Sequence, residues 1–178
     1  MSGILRFVGV VNAAVWLGAA VCFTFVAAPA MFSAEMKEIL GPQNYPFYSG
    51  RIAQMVVARF FVLQYVCGAI ALAHLLVEWL HLGRPLLRLT AGLATGLFAL
   101  GLAGGLWLQP KLKQLHQSKY AHSEPHSPAA KEQVARSFRV WHGVSQAANL
   151  LALIGLTVYV ARVASPGGGP RFSRLSPV

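Results

Sequence analysis

The chain encodes an all-α integral membrane protein, an antiparallel four-helix bundle, and three observations lead there. Of its 178 residues, 56% are hydrophobic and 11% charged, where a soluble domain carries about 25% charged residues. Four separate apolar stretches each exceed the ~20 residues that cross a ~30 Å hydrocarbon core at ~1.5 Å per residue. The 15 Lys and Arg residues, which give a formal charge of +10, lie almost entirely outside those stretches. They read as side chains that hold the bundle against anionic headgroups of the lipid bilayer, with no role in binding nucleic acid. Cys22 and Cys67 both fall inside apolar stretches, and two cysteines cannot form a disulfide framework.

The first span is expected over about 4–32. Its apolar core is far longer than the ~7–15 residues of a signal-peptide h-region, so it reads as a retained span. The second covers about 52–81, the third about 86–108 and the fourth about 138–163. Together they make one bundle over 1–164, with both termini on one face, side A, and the loops after spans one and three on the opposite face, side B. Orientation follows from basic residues in short segments. Arg6, Arg84, Arg88, Arg162, Arg171 and Arg174 crowd side A, whereas Lys37, Arg51, Lys111, Lys113, Lys119, Lys131, Arg136 and Arg139 are spread over longer segments on side B. Density favours cytoplasmic termini and raw count favours the reverse; the density reading is adopted.

The connections carry their own signals. Ser33 is placed to cap a short helix that Gly41 and Pro42 stop, the usual Gly-then-Pro order. Tyr45, Phe47 and Tyr48 follow as an interfacial aromatic cluster. Gly83, Arg84 and Pro85 leave room only for a tight antiparallel turn between spans two and three. In the long connection 109–137, Ser127 before Pro128 reads as an N-cap with proline at the first helical position. The fourth helix should therefore start ~10 residues before its span, and 109–137 should form a helical hairpin beyond the membrane. His116, His122 and His126, with Glu124, are then expected in a solvated tip. From Ser165 onwards the run of Pro and Gly predicts a basic, disordered tail over 165–178. In span three, Gly92 and Gly96, and again Gly101 and Gly105, are four apart, so two small-residue faces allow close approach of a helix from this bundle, from another membrane subunit or from a second copy.

An ionisable group at membrane depth is costly and normally faces the bundle interior with a partner. Arg139, His142, Gln146 and Asn149 step by three, four and three, one stripe on span four with Ser145 beside it. Arg59 of span two lies at a similar depth, with no acidic side chain at that level in either neighbouring span. Its charge is then met by dipoles alone or by an anion from outside. Arg59, His142, Gln146, Asn149 and Ser145 form the first candidate site, for a small polar or anionic ligand. A structural network that sets helix register is the competing reading. The second cluster, His74, Glu78 and His81, is spaced i, i+4, i+7 on one face near side A. It reads as a hydrogen-bond network completed by Asn12 and Tyr159, with a proton or cation role and metal binding as alternatives.

No cofactor is called for. His142 and His74 differ in depth by roughly 20 Å at ~1.5 Å per residue, so they cannot ligate one haem iron, and spans one and three hold no histidine. There is no HExxH, no CxxC and no phosphate-cradling glycine loop, and the chain is not read as an enzyme.

The run Ala27, Ala28, Pro29, Ala30, Met31, Phe32, the triplet Arg59, Phe60, Phe61, the pair Gln109, Pro110, and Trp141, His142, Ser145, Asn149 in span four resemble the transmembrane-protein-205-like family. The likeness runs over about residues 5–163. That family comprises small four-span membrane proteins, many of them bacterial, and is distantly similar to copper-resistance D-type proteins. The resemblance implies a bacterial inner membrane, metal handling, and a shared role for Pro29, Arg59, His142 and Asn149. The clustered Met, Cys or His of a soft-metal path is absent from the spans. Three functions follow as expectations: a membrane protein that binds or passes a small polar or anionic ligand, a non-catalytic accessory subunit of a larger membrane complex, and a metal- or haem-binding protein.

Overall fold

The computed structural model describes residues 2–82, 88–120 and 127–165, with Ser2, His81, Leu82 and Pro128 described by backbone alone. The expected turn at Gly83 to Pro85, the tip residues His122, Glu124 and His126, and the tail beyond Ser165 lie outside these residues, as does the side chain of His81. Among the described residues there is no strand.

Helix α1 (Ser2–Cys22) passes through a wide π turn, Phe23–Ala27, into the single turn α2 (Ala28–Met31). Pro29 is the cause. A proline has no N–H and its ring crowds the carbonyl four residues back. The π turn, closed by the Ala28 N–H on the Phe23 carbonyl, widens the helix just ahead of it. Helix α5 (Arg88–Ala103) repeats the device: a π turn, Gly104–Leu108, precedes Pro110 at the start of α6 (Gln109–Tyr120), and the Gln109 N–H closes on the Gly104 carbonyl. This two-fold correspondence between the chain's halves is carried by two prolines in unlike sequence, so no repeat is visible in the residues themselves.

Ser33 caps α3 (Ala34–Leu40), its hydroxyl accepting from the Met36 N–H at 3.2 Å, and Gly41 ends it at φ +74°. The same hydroxyl beside Glu35 holds that carboxyl below its ordinary value. Helix α4 (Tyr45–Leu82) starts seven residues before the apolar stretch near 52, because Pro46 is tolerated in a first turn. Helix α7 (Pro128–Ala164) begins where Ser127 caps it, accepting from the Ala130 N–H at 3.3 Å.

The helices touch in a ring, α1 to α4 to α5 to α7 and back to α1, so α1 faces α5 and α4 faces α7 across the diagonals. Small residues let the backbones close: Ala13, Ala20, Cys67, Ala71 and Ala94 are buried around Trp16, Leu156 and Tyr159. The two glycine faces of α5 have separate uses. A Cβ at Gly104 or Gly105 would strike Phe61 or Tyr65 of α4, so these glycines serve the bundle, whereas nothing lies within 4 Å of a Cβ at Gly92 or Gly96.

Two of the helices are longer than a membrane crossing needs. Helices α4 and α7 hold 38 and 37 residues, about 57 and 55 Å at ~1.5 Å per residue, nearly twice a ~30 Å hydrocarbon core. The helices end together at side A, where Arg6 donates to the Ala164 carbonyl at 3.2 Å and Arg88 and Arg162 are exposed. The Gly68 to Phe98 contact brings Glu78 to the level of Arg88. Stepping ~20 residues from that level reaches Val26, Ala58, Leu108 and His142. Near that level stand Arg59 and the Trp107–Trp141 pair, whose rings are 5.1 Å apart; tryptophans are enriched at membrane interfaces. The first turns of α4, all of α6 and the start of α7 continue past that level and make up the stalk.

Candidate functional site

Arg59, His142, Gln146 and Asn149 share a level, but the expectation that they all face inward is corrected. Arg59, His142 and Gln146 are exposed. Helices α4 and α7 stand on a diagonal, so Arg59 is not brought to His142. His142 and Gln146 contact each other along α7, ring nitrogen to amide nitrogen at 3.3 Å, and the His142 ring stacks on Phe138 at 5.8 Å. Asn149 alone turns to the interior, donating to Thr24 Oγ1 at 2.9 Å, while Thr24 donates to the Ala20 carbonyl at 2.8 Å. Ser145 is half-buried.

His116 is corrected as well. It is 4% exposed because it packs in the stalk: its ring lies 5.9 Å from Phe47, 4.9 Å from Tyr120 and 6.2 Å from Phe138. Gly50 makes the seat, since a Cβ there would overlap the ring. Burial first, then the cations Lys119 and Arg51, push its pKa below the ordinary value, with the Pro46 carbonyl opposing them. Phe47, of the aromatic cluster expected at the interface, also meets Tyr48 at 5.2 Å.

The second cluster lies in the core. The His74 ring is buried against α1 because Gly9 has no side chain to block it, and its Nε2 is 2.9 Å from the Leu5 carbonyl. With Nε2–H as donor, Nδ1 is left an acceptor, and it has no hydrogen-bond partner. The hydroxyls of Thr90 on α5 and Tyr159 on α7 are also buried and without a hydrogen-bond partner. Register places all three in one layer: the Gly68 to Phe98 and Gly155 to Leu97 contacts bring residues 74, 92 and 160 level. Glu78 is half-buried one turn nearer side A and acts electrostatically on Tyr159.

Below this layer the polar groups are paired. Asn12 donates to the Cys67 carbonyl at 2.9 Å, the Trp16 indole N–H donates to Gln64, and Trp16 meets the Tyr159 ring edge-on at 6.0 Å. Asn12 bonds to the Cys67 carbonyl and the Tyr159 hydroxyl has no hydrogen-bond partner, so neither completes the network with His74 that the spacing suggests. Thr90, Trp16 and Gln64 were not signalled: a lone Thr, Trp or Gln in an apolar run carries no periodicity of its own. Gly9, opposite His74, is the one local mark of that contact. Among the described residues no three His, Cys, Asp or Glu side chains come together to hold a metal ion.

Residues 11–121 match the family described as a domain of unknown function, DUF4149. No curated protein matches the chain, and no solved structure does. The match spans more than half of the chain, from α1 to the end of α6, and the chain belongs to that family.

Proposed function

We propose, for this member of the DUF4149 family, that it is a non-enzymatic membrane protein which takes up a small polar species in its core, at His74, Thr90 and Tyr159, with Glu78 at the side A approach. One observation carries this reading. Three polar atoms from three helices, one acceptor and two hydroxyls, are buried in one layer without hydrogen-bond partners. Buried polar groups are otherwise almost always satisfied, and an unpaired one costs about 1–3 kcal/mol. The reading takes the species to be a proton or a water-sized molecule, since all three atoms are buried. His74 is the group that takes the proton, and Tyr159 and Thr90 pass or orient it.

The reading differs from an anion pocket at Arg59 and His142, whose side chains are exposed. The dense arginines at the terminal end favour cytoplasmic termini, and the transmembrane-protein-205-like resemblance favours a bacterial inner membrane. The test is proton uptake into proteoliposomes carrying an internal pH dye, with an imposed gradient. Flux above that of protein-free vesicles, lost in His74→Phe while the circular dichroism and elution volume stay unchanged, supports the reading. Wild-type flux no greater than that of empty vesicles refutes it.

The stalk favours a second reading, an accessory subunit. Arg51, Lys111, Lys113, Lys131 and Arg136 are exposed on it, a basic surface. Stoichiometric partners co-purifying in mild detergent, and lost when these residues are neutralised, would select it.

A further inference from the structure

Helices α5 and α7 part on their outer side to leave a groove of about 350 Å³. Its walls are Leu89, Leu93, Leu97 and Leu100 of α5 with Leu151 of α7, and its floor is Gly92, Gly96 and Gly155. Arg88 stands at its side A end. Leu151, Gly155 and Arg162 are separated by four and seven residues, hence on one face of α7. The contact of Leu97 with Gly155 brings Arg162 within a turn of Arg88, and both arginines are exposed. The groove is thus apolar along its length and doubly basic at one end, and that end coincides with the headgroup level.

We propose that this groove binds one acyl chain of an anionic phospholipid of the side A leaflet, with Arg88 and Arg162 holding the phosphate. Length argues for a lipid. From Arg88 to Leu100 is ~18 Å at ~1.5 Å per residue, close to the ~15 Å of one leaflet, whereas a packed transmembrane helix would need contact across both. The glycines give the depth that an acyl chain requires, and the arginines match the phosphate in charge, bidentate geometry and position.

The test uses the purified full chain in detergent, titrated with dioleoyl phosphatidylglycerol or dioleoyl phosphatidylcholine and read by native mass spectrometry. One phosphatidylglycerol should be retained per chain in preference to phosphatidylcholine. Each of Arg88→Gln and Arg162→Gln should weaken its binding about fivefold, and inorganic phosphate should not displace it. Gly92→Leu should fill the groove and abolish retention at an unchanged melting temperature, since a Cβ there meets nothing within 4 Å. Equal retention of both lipids that ignores the two arginines overturns the proposal. So does a wild-type dimer that Gly92→Leu converts to monomer, because the groove is then a seam between copies. Should the leucine variant fail to fold, the arginine pair decides alone.

Discussion

Replacing Tyr159 by Phe isolates one hydroxyl. The ring is 0% exposed and meets Trp16 edge-on at 6.0 Å, a contact that phenylalanine keeps in the same rotamer. The change therefore creates no cavity, and only the phenolic O–H is lost. If the layer of His74, Thr90 and Tyr159 takes up water or a proton, that hydroxyl is satisfied in the working protein. A satisfied hydrogen bond contributes about 0.5–1.5 kcal/mol, with ~0.6 a typical value between membrane helices. Tyr159→Phe should then lower stability by about that amount, and a chain of this size loses about 2–4 °C per kcal/mol. Thermal unfolding in lipid nanodiscs, followed by near-ultraviolet circular dichroism, reads the shift. A dry and unpaired hydroxyl gives the opposite sign, because removing it relieves about 1–3 kcal/mol of desolvation. A melting temperature that rises by several degrees would refute the reasoning about this layer.

The other predictions concern packing, caps and pH. Gly68→Ala should destabilise by about 1–3 kcal/mol, since its Cβ would lie 2.4 Å from the Phe98 ring in a closed core; Gly92→Ala should be within about 0.5 kcal/mol of neutral, and paired melts compare the two. Ser127→Ala should cost about 1 kcal/mol and fray the start of α7, seen as faster amide exchange at 128–131. His116, held below its ordinary value in the stalk, resists protonation when folded. Its contribution is therefore intact above the ordinary histidine pKa of about 6.5 and is lost as pH falls from there through the lowered folded value. Protease cleavage of the stalk should rise over that window, and His116→Phe should flatten the dependence.

Residue pattern carried the features set by neighbours in the chain. Ser33, Gly41 and Ser127 mark helix ends because a cap bonds backbone groups two or three residues away. The four spans are readable because burial in lipid needs a run of apolar side chains and nothing more. The features that were not readable depend on pairs distant in sequence. His74 seats against Gly9, His116 against Gly50 and Tyr65 against Gly105, and each such glycine looks idle until its partner is known. Of the polar core, the sequence singles out His74, Glu78, Asn12 and Tyr159 by their spacing, but not Thr90, Trp16 and Gln64.

The reading of Arg59 turned on a length. An apolar run beginning near residue 52 puts Arg59 two turns inside the membrane, where an arginine costs about 2.5–3.5 kcal/mol on insertion scales and demands a partner. The helix itself begins at Tyr45 and ends at Leu82, and it is much longer than the bilayer is thick. With that surplus the apolar run no longer fixes the depth of Arg59 or His142, and both side chains are exposed. At the interface an exposed arginine reaches phosphate along its own aliphatic stem at little cost. His74 is held from the other end of the bundle, its Nε2 2.9 Å from the Leu5 carbonyl. Of the two polar clusters in the spans, the one whose histidine packs against another helix is buried, and the one that holds an arginine is exposed. That ordering is what the energetics of burial require: an imidazole bonded to a backbone carbonyl is tolerated inside, whereas a guanidinium without a carboxylate is not.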